Sequence, residues 1–568
     1  MPYQPQTTPV LNGLNEDENP ASLLPGQLRE AINTARLGNL TGTRPGLIRD
    51  SVYDANITSN PAVQGIHEFR QGRDDGRQLV VVANGKVYRT EDTEVTSSSL
   101  TITAGSQHLW SFANHQSLMY AAGGNSGDSI WTWDGNTSNA ATARLAGLGL
   151  RPKYVFAKFG ALFLSGFQTG TDFYNNPLVA RYSNYGETTT DETSWPTSNC
   201  IPGELLGENP GVGAYGGEEI STGLASYQDN RGDFLLFLTS KRILAFQLNP
   251  NVTSNANRFI QTDAIANGCV SQHAFVDLGY DQGDAVYVSK HGIHSIALSQ
   301  QYGNRENTFL SYPIRKTWET VNQSKLDRIS AAYWPDEGML IFAVPTGSSS
   351  TPDTILCMDI KGSGRLSPES VRWYKWKLAG SLSANYLRMA REPSSNKEVV
   401  YLGGSAGHLG HFSRSSYSDF ASSYAVTFRT KDEDFEYPTI EKGVGNAFIM
   451  ANGSGDYFPT HTYMLDDASI TGATSSLEMT LPGFTLAANA DDDAGTGEGG
   501  YEVGSTLGVE AADGTLGSGE NLIRDRVRGV GSGFTISHKF AHAGNNEPFF
   551  IGAITQDVAV RGMADEAA

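Results

Sequence analysis

QLVVVANGKVYRT, residues Gln78 to Thr90, decides the fold. Val80, Val81 and Val82 form a β-branched run, Lys86 to Thr90 forms a second extended run, and Asn84-Gly85 stands between them. A two-residue hairpin loop of the type I′ kind needs positive φ at both central positions, which Asn tolerates and Gly adopts freely, so the dipeptide turns the chain back on itself. The stretch reads as a β-hairpin.

Working outward, the same pattern of short apolar runs split by Gly, Asn or Asp turns recurs from about residue 78 to 414. The units are HQSLMYAAGGNSGDSIWTWDGN (His115 to Asn136), KFGALFLSG (Lys158 to Gly166) returning as VARYSNYG (Val179 to Gly186), and DFLLFLTSKRILAFQLN (Asp233 to Asn249). DAVYVSKHGIHSIAL (Asp284 to Leu298), GMLIFAVP (Gly338 to Pro345) with Thr354 to Leu378, and EVVYLGGSAGHLGHF (Glu398 to Phe412) follow. With the first hairpin these make seven units, spaced mostly by about 40 to 60 residues, near the ~40 to 50 of a four-stranded propeller blade. The fold class expected is all-β: a β-propeller of about seven blades, with six to eight compatible, over residues 61–420. The WD40 signature is absent, so the repeat is one of pattern rather than wording.

The flanks read differently. Residues 1–60 are dense in Gly, Pro and Asn with little periodicity, so they are expected to form an arm packed on another part of the chain; Ser22 to Leu37 is expected to hold one short helix, on the spacing of Leu24, Leu28, Ala31, Ile32 and Ala35. From AVTFRTKDEDF (Ala425 to Phe435) onward, alternating strands predict a C-terminal β-sandwich platform over 421–568, completed by the arm. Between Lys442 and Arg524 there are twelve acids and no Lys or Arg. Its centre, about 487–519 and including DDDAGTGEGG (Asp491 to Gly500), reads as a long solvated loop, facing either a channel or the exterior.

Composition agrees with this picture. The 568 residues exceed one small core, and 63 Gly with 23 Pro favour turns over long helices. A net charge of −20 disfavours a surface that wraps nucleic acid or anionic lipid. Cys200, Cys269 and Cys357 lie far apart with no CxxC partner, as expected of buried free thiols. The opening MPYQPQTTPV lacks the basic and apolar regions of a signal peptide, and no run of 18 apolar residues occurs, so a soluble protein without membrane insertion is expected.

The search for chemistry finds no carrier. The acidic loop has the composition of a calcium site but not EF-hand spacing. His291 and His294 in KHGIHS, and His408 and His411 in GHLGHF, lack an acid at ligand spacing and are expected in turn or surface roles. No GxSxG elbow, phosphate loop or dinucleotide fingerprint is present, and NSGDSIWTWDGN has the residue types but not the order of a sialidase Asp-box turn. Trp131 and Trp133, with Trp373, Tyr374 and Trp376, are expected to fill space between blades rather than form a sugar platform. No enzyme, cofactor, metal or catalytic residue is expected.

One resemblance covers most of the chain. LNGLNEDENPASLLPGQLREAINTARLGNLTGTRPGL (Leu11 to Leu47) resembles the opening of the tail nozzle proteins of short-tailed bacteriophages, the tail tubular protein B class, including its closing RPG. RYSNYGETTTDETSWP (Arg181 to Pro196), VSQHAFVDLGYDQGDAVYVSKHGIHSI (Val270 to Ile296) and RVRGVGSGFTISHKFAHAGNNEPFFIGAITQDVAVRG (Arg526 to Gly562) resemble later passages of that family in the same order. The acidic loop has no counterpart in it. The resemblance implies a structural virion protein: a homohexameric tail nozzle ring below the portal and its adaptor ring that extends and closes the DNA-ejection channel and serves genome retention. It is assembled in the host cytoplasm, with tail fibre or needle proteins as further neighbours. Viral DNA would pass without specific binding. A virion receptor- or carbohydrate-binding propeller is the alternative, and a propeller glycan hydrolase comes after it.

Overall fold

The computed structural model describes residues 4–560 except 51–61, 71–76, 90–92, 95–99, 103–107, 168–177, 202–218, 253–257, 454–458, 477–521, 528–531 and some isolated positions. The acidic loop expected at about 487–519 lies outside the described residues, as do all but Asp466 and Asp467 of the acids between Lys442 and Arg524. The chain is all-β and divides into two compact units, one of Leu47–Trp373 with Gly380–Ser413, the other of Met1–Gly46, Tyr374–Ala379 and Arg414–Ala568.

The first unit is a series of small antiparallel sheets built in chain order. Sheet 1 begins with Val63–Phe69 and continues through the hairpin Gln78–Ala83 and Lys86–Arg89. Asn84 and Gly85 have φ of 53° and 69°, the left-handed pair that the turn requires. Sheet 2 starts at Ser111–His115, sheet 3 at Pro152–Lys158 and sheet 4 at Ser221–Asp229, each with four strands. Sheet 5 has three strands, Phe275–Asp277, Ala285–Val288 and Ile293–Ser295, and here the expected hairpin ends in a short helix, Ile296–Tyr302. Ser295 accepts from the Leu298 amide through Oγ at 3.1 Å, which starts that helix.

Sheet 6 starts at Ser330–Trp334, and sheet 7 runs Ala384–Arg391, Glu398–Gly404, Leu409–Ser413. The fourth strand of sheet 7 comes from far upstream: Gly46–Arg49, just ahead of sheet 1, lies on Leu409–Ser413.

The core of this unit lies between sheets. Trp131 and Trp133 share one face of their strand and are completely buried, Trp131 against Trp110 at 5.9 Å and Trp133 against Phe69 of sheet 1 at 5.9 Å. Val155, Leu162 and Leu164 of sheet 3 pack with Tyr120 of sheet 2, and Phe163 and Tyr182 pack with Leu235 and Phe237 of sheet 4. Tyr386 and Leu409 of sheet 7 share a cluster with Val63 and Ile66 of sheet 1. The first strand of each sheet touches the first strand of the next, and that of sheet 7 touches that of sheet 1.

The second unit joins distant parts of the chain. One sheet orders Thr34–Leu37, Leu40–Thr43, Phe549–Val560, Lys442–Gly453 and Leu522–Val527, with Gln4–Pro9 laid on Phe549–Val560 from Gln4 opposite Val558 to Pro9 opposite Ala553. The other runs from Lys375, which lies parallel opposite Ile32, through Leu28–Ile32, Val426–Thr430, Ile536–His542 and Thr460–Leu465 to Ala468–Ser476. The sheets meet where Phe428 stacks on Phe549 at 5.9 Å, while within its own sheet Phe428 stacks on its cross-strand partner Phe540 at 5.0 Å.

The helix expected over Ser22 to Leu37 is not formed. Leu28–Ile32 and Thr34–Leu37 are strands in different sheets, separated by Asn33 at φ 55°. Strand pairing to Val426–Thr430 overrides the helical spacing, and Leu24, counted in that spacing, is exposed.

Candidate functional site

In the second unit, the RPG tripeptide Arg44-Pro45-Gly46 forms a buried centre. Arg44 is wholly buried, and its Nη1 and Nη2 donate to the two carboxylate oxygens of Asp419 at 3.0 and 2.6 Å. Nε donates to Asn33 Oδ1 at 3.1 Å, Nη1 to the Pro45 carbonyl at 2.8 Å and Nη2 to the Lys377 carbonyl at 3.1 Å. The guanidinium lies 3.7 Å over the ring of Tyr424, whose hydroxyl donates to the Arg44 carbonyl at 2.6 Å. Burial opposes the charge, while Asp419 and Tyr424 favour it more strongly and hold Arg44 above its ordinary pKa.

The geometry explains the whole tripeptide. A bidentate guanidinium with its other donors satisfied is the arrangement in which a buried ion pair is tolerated. A Cβ on Gly46 would run into the Ser418 backbone, 2.6 Å from its nitrogen, and the Gly46 amide donates to Ser416 O at 2.7 Å. One centre therefore ties together residues 33–46, the segment 374–379 and the region after 414. Nothing in the sequence paired Arg44 with Asp419, 375 positions away.

A second charged group lies nearer solvent. Arg29 bonds Asp432 at 2.9 Å and Asp467 at 2.8 and 3.0 Å, and Arg429 bonds the same two acids at 2.9 and 2.7 Å. Hydrogen bonds from Arg29 and Arg429 hold the Asp467 carboxyl at about 2. Asp466 accepts the amides of Phe534 and Thr535 at 2.8 and 2.9 Å. The two described acids of the base-free stretch thus hold structure together.

Other chemistry-bearing groups are placed as follows. His291 is exposed, whereas His294 is buried, so of the two roles expected for it the surface one does not apply and the turn one does. Its Nε2 bonds Ser289 Oγ at 2.7 Å, and that Oγ also accepts the His291 amide at 2.9 Å. This Ser–His pair is enclosed by the hairpin, with Tyr287 stacked on the imidazole at 5.1 Å and Phe309 edge-on at 4.2 Å, and burial lowers the imidazole to about 3. It locks a turn and offers no open nucleophile. His408 and His411 are half-buried. His461 and His538, not singled out in the sequence, share a buried hydrogen bond of 3.0 Å between Nε2 and Nδ1.

The three cysteines are buried free thiols, Cys200 and Cys269 pushed up to about 12 by burial. Among the described residues no three His, Cys, Asp or Glu side chains gather as a metal site. Trp131, Trp133, Trp373, Tyr374 and Trp376 are fully buried, so none forms an exposed aromatic platform.

In the first unit, a cavity of about 290 Å3 is bordered by the first strands of five successive sheets, through Phe156, Leu224, Asp277, Tyr333 and Arg388 among others. Gln272 at its wall donates to Ser111 Oγ at 3.1 Å and the Val155 carbonyl at 3.3 Å, and accepts the Leu224 amide at 3.2 Å, so one amide cross-links sheets 2, 3 and 4.

No protein-family profile matches the chain, and no curated protein sequence does. Among solved structures, the chain is similar to an exo-β-1,3-galactanase from Phanerochaete chrysosporium crystallised with β-1,3-galactotriose, at 8% identity and a TM-score of 0.27, over 85% of this chain and 100% of that one, a likeness too low to bear on fold or function.

Proposed function

We propose that the chain is a structural protein of a phage tail, a nozzle protein whose seven sheets form a seven-bladed propeller and whose second unit is a β-sandwich platform for ring assembly. The observation that carries this reading is the composite second unit. Strands between Gln4 and Thr43 pair with strands after Arg414 in both sheets, the arrangement that the resemblance of Leu11 to Leu47 and Arg526 to Gly562 calls for. The propeller is supported by the sequence of contacts from each first strand to the next, by the five first strands around one cavity, and by Gly46–Arg49 as the outer strand of sheet 7. Borrowing that strand from the N-terminal side of sheet 1 ties last blade to first, and abolishes an open seam.

On this reading the chain acts by position and performs no catalytic step. An acidic surface suits a conduit for DNA, since phosphate repulsion keeps the duplex from adhering. Native mass measurement of the full chain, alone and mixed with its adaptor ring, tests the proposal. Six-copy rings, or rings formed on the adaptor, are expected. A chain that stays monomeric in both conditions overturns it.

A further inference from the structure

A larger cavity, about 700 Å3, opens in the first unit where three elements converge: the turn joining Ser221–Asp229 to Gly232–Thr239, the helix Ile296–Tyr302, and the loop ahead of Arg372–Trp376. That volume falls within the roughly 300 to 1,000 Å3 of small-molecule sites.

Its polar groups are positioned by one another. Gln300 and Gln301, consecutive on the helix, each hold an arginine from a different sheet: Gln300 Oε1 accepts from Arg231 Nη2 at 3.2 Å, and Gln301 Oε1 accepts from Arg365 Nη2. Gln300 Nε2 donates to Asp263 at 3.1 Å. Arg231 is fixed further by Asp229, at 2.7 and 2.9 Å from Nη2 and Nε. Asp284 lies buried in the wall, its oxygens accepting from Ser295 Oγ at 2.6 Å and from the Ala285 and Ala297 amides at 2.8 and 3.1 Å. These side chains are therefore held before any ligand arrives, which lowers the entropic cost of binding.

The chemistry of the lining selects the ligand class. Asp229 and Asp284 offset Arg231 and Arg365, so the lining has no net formal charge and asks for none in its occupant. The exposed Arg365 keeps N–H groups without a hydrogen-bond partner among the described residues, and the exposed amide of Gln282 supplies both a donor and an acceptor. Tyr227 and Leu366 add apolar wall. A lining that offers both donors and acceptors beside apolar wall matches a pyranose, whose hydroxyls each donate and accept and whose C–H face is apolar. We propose that this cavity is a binding site for a short neutral saccharide.

The site lies wholly in the first unit, so its test does not depend on ring assembly. Saturation-transfer NMR on the full chain would use neutral di- and trisaccharides of glucose, galactose, mannose and N-acetylglucosamine, with uronic-acid oligomers as the charged comparison. Transfer to at least one neutral saccharide, with a Kd of about 1 mM, is expected. Since each lost hydrogen bond weakens binding by roughly fivefold, the double variant Arg365→Ala/Gln282→Ala should reduce it by about tenfold or more. Both side chains are exposed, so unchanged thermal unfolding of the variant is expected. No transfer to any neutral saccharide, transfer to uronic-acid oligomers alone, or transfer undiminished in the double variant overturns the proposal.

Discussion

The two units are stabilised by opposite means. In the seven-sheet unit nearly every strand pairs with its neighbour in sequence, as in Gln78–Ala83 with Lys86–Arg89, and apolar side chains fill the space between sheets. In the other, strands meet across most of the chain, Gln4–Pro9 with Phe549–Val560 for example, and a buried ion pair stands at the junction of three segments. Local pairing costs little loop-closure entropy and leaves a signature in turn residues; distant pairing costs more and leaves its signature in single residues that satisfy each other.

The sharpest way to break the comparison is to remove the distant strands alone. Deleting residues 1–45 takes away four strands of the second unit but spares Gly46–Arg49, while deleting residues 1–50 also strips the fourth strand from sheet 7. The shorter deletion should leave a soluble seven-sheet unit, lose protection across Val426–Thr430 and Phe549–Val560 in hydrogen exchange, and abolish ring assembly. The longer one should in addition expose the edge of Leu409–Ser413 and aggregate. Identical behaviour of the two deletions, or unchanged assembly in the first, would contradict the role given to these strands.

Next in size is the buried pair. Arg44→Met leaves the Asp419 carboxylate buried and uncompensated, which costs about 3 to 5 kcal/mol, whereas Arg44→Met with Asp419→Leu removes both charges and should recover most of that loss. Urea unfolding followed by hydrogen exchange would place the loss in the second unit. A single variant as stable as the parent would show that the centre is not what joins its three segments.

This contrast also sets how much could be read from the sequence. Asn84-Gly85 announced its turn because the dipeptide has few other uses, and Trp131 and Trp133 announced a buried face because alternation places both on one side. All seven hairpin units recur as sheet segments. The arm was legible only as a segment too poor in periodic apolar residues to fold alone. Its strands could not be read, since the partners of Leu28–Ile32 lie about 340 and 400 residues on, and the helical spacing of Leu24, Leu28, Ala31 and Ala35 was a coincidence that pairing overrides. RPG was visible as a motif, but its partner Asp419 is one acid among 61. Gln300, Gln301 and Arg365 carried no signal at all, because ordinary surface residue types become a site only when sheets bring them together.

A smaller effect separates the units by pH. His461 and His538 share their buried hydrogen bond as neutral rings, and burial holds His538 at about 3 and His461 well below its ordinary value. Tyr463 and Phe540 face the pair. Unfolding lets each ring take up a proton below about pH 6.5. Their contribution is therefore full above pH 6.5 and falls as the pH drops, for His538 by about 2 kcal/mol at pH 5 and on down to about pH 3, with His461 adding a loss of the same sign. His67, His273 and His294, each near 3, impose the same sign on the other unit. Replacing His461 and His538 together by Phe should flatten the fall between pH 7 and 5 for the second unit only. An unchanged slope there would mean that the rings stay accessible to protons in the folded chain.

The smallest expected effect comes from the outer charge network, and it sharpens the comparison from inside one unit. Arg29 bonds the same kind of partner as Arg44, yet its side chain keeps 28% of its exposure and Asp467 keeps 56%, against none for Arg44 and Asp419. Water therefore screens most of the attraction, and either charge left alone can be hydrated. Arg429 also stays on Asp432 and Asp467 when Arg29 is removed, so neither acid is stranded. Arg29→Ala should cost only about 1 kcal/mol or less, and the difference from the parent should shrink further as salt rises from 0.05 to about 0.5 M. Because Asp467 is held at about 2, below its ordinary 3.8, the stability it adds is present above about pH 4 and lost as pH falls through 2, so the variant and parent should converge there. A loss as large as that of Arg44→Met, indifferent to salt, would mean that exposure does not govern what an ion pair contributes in this unit.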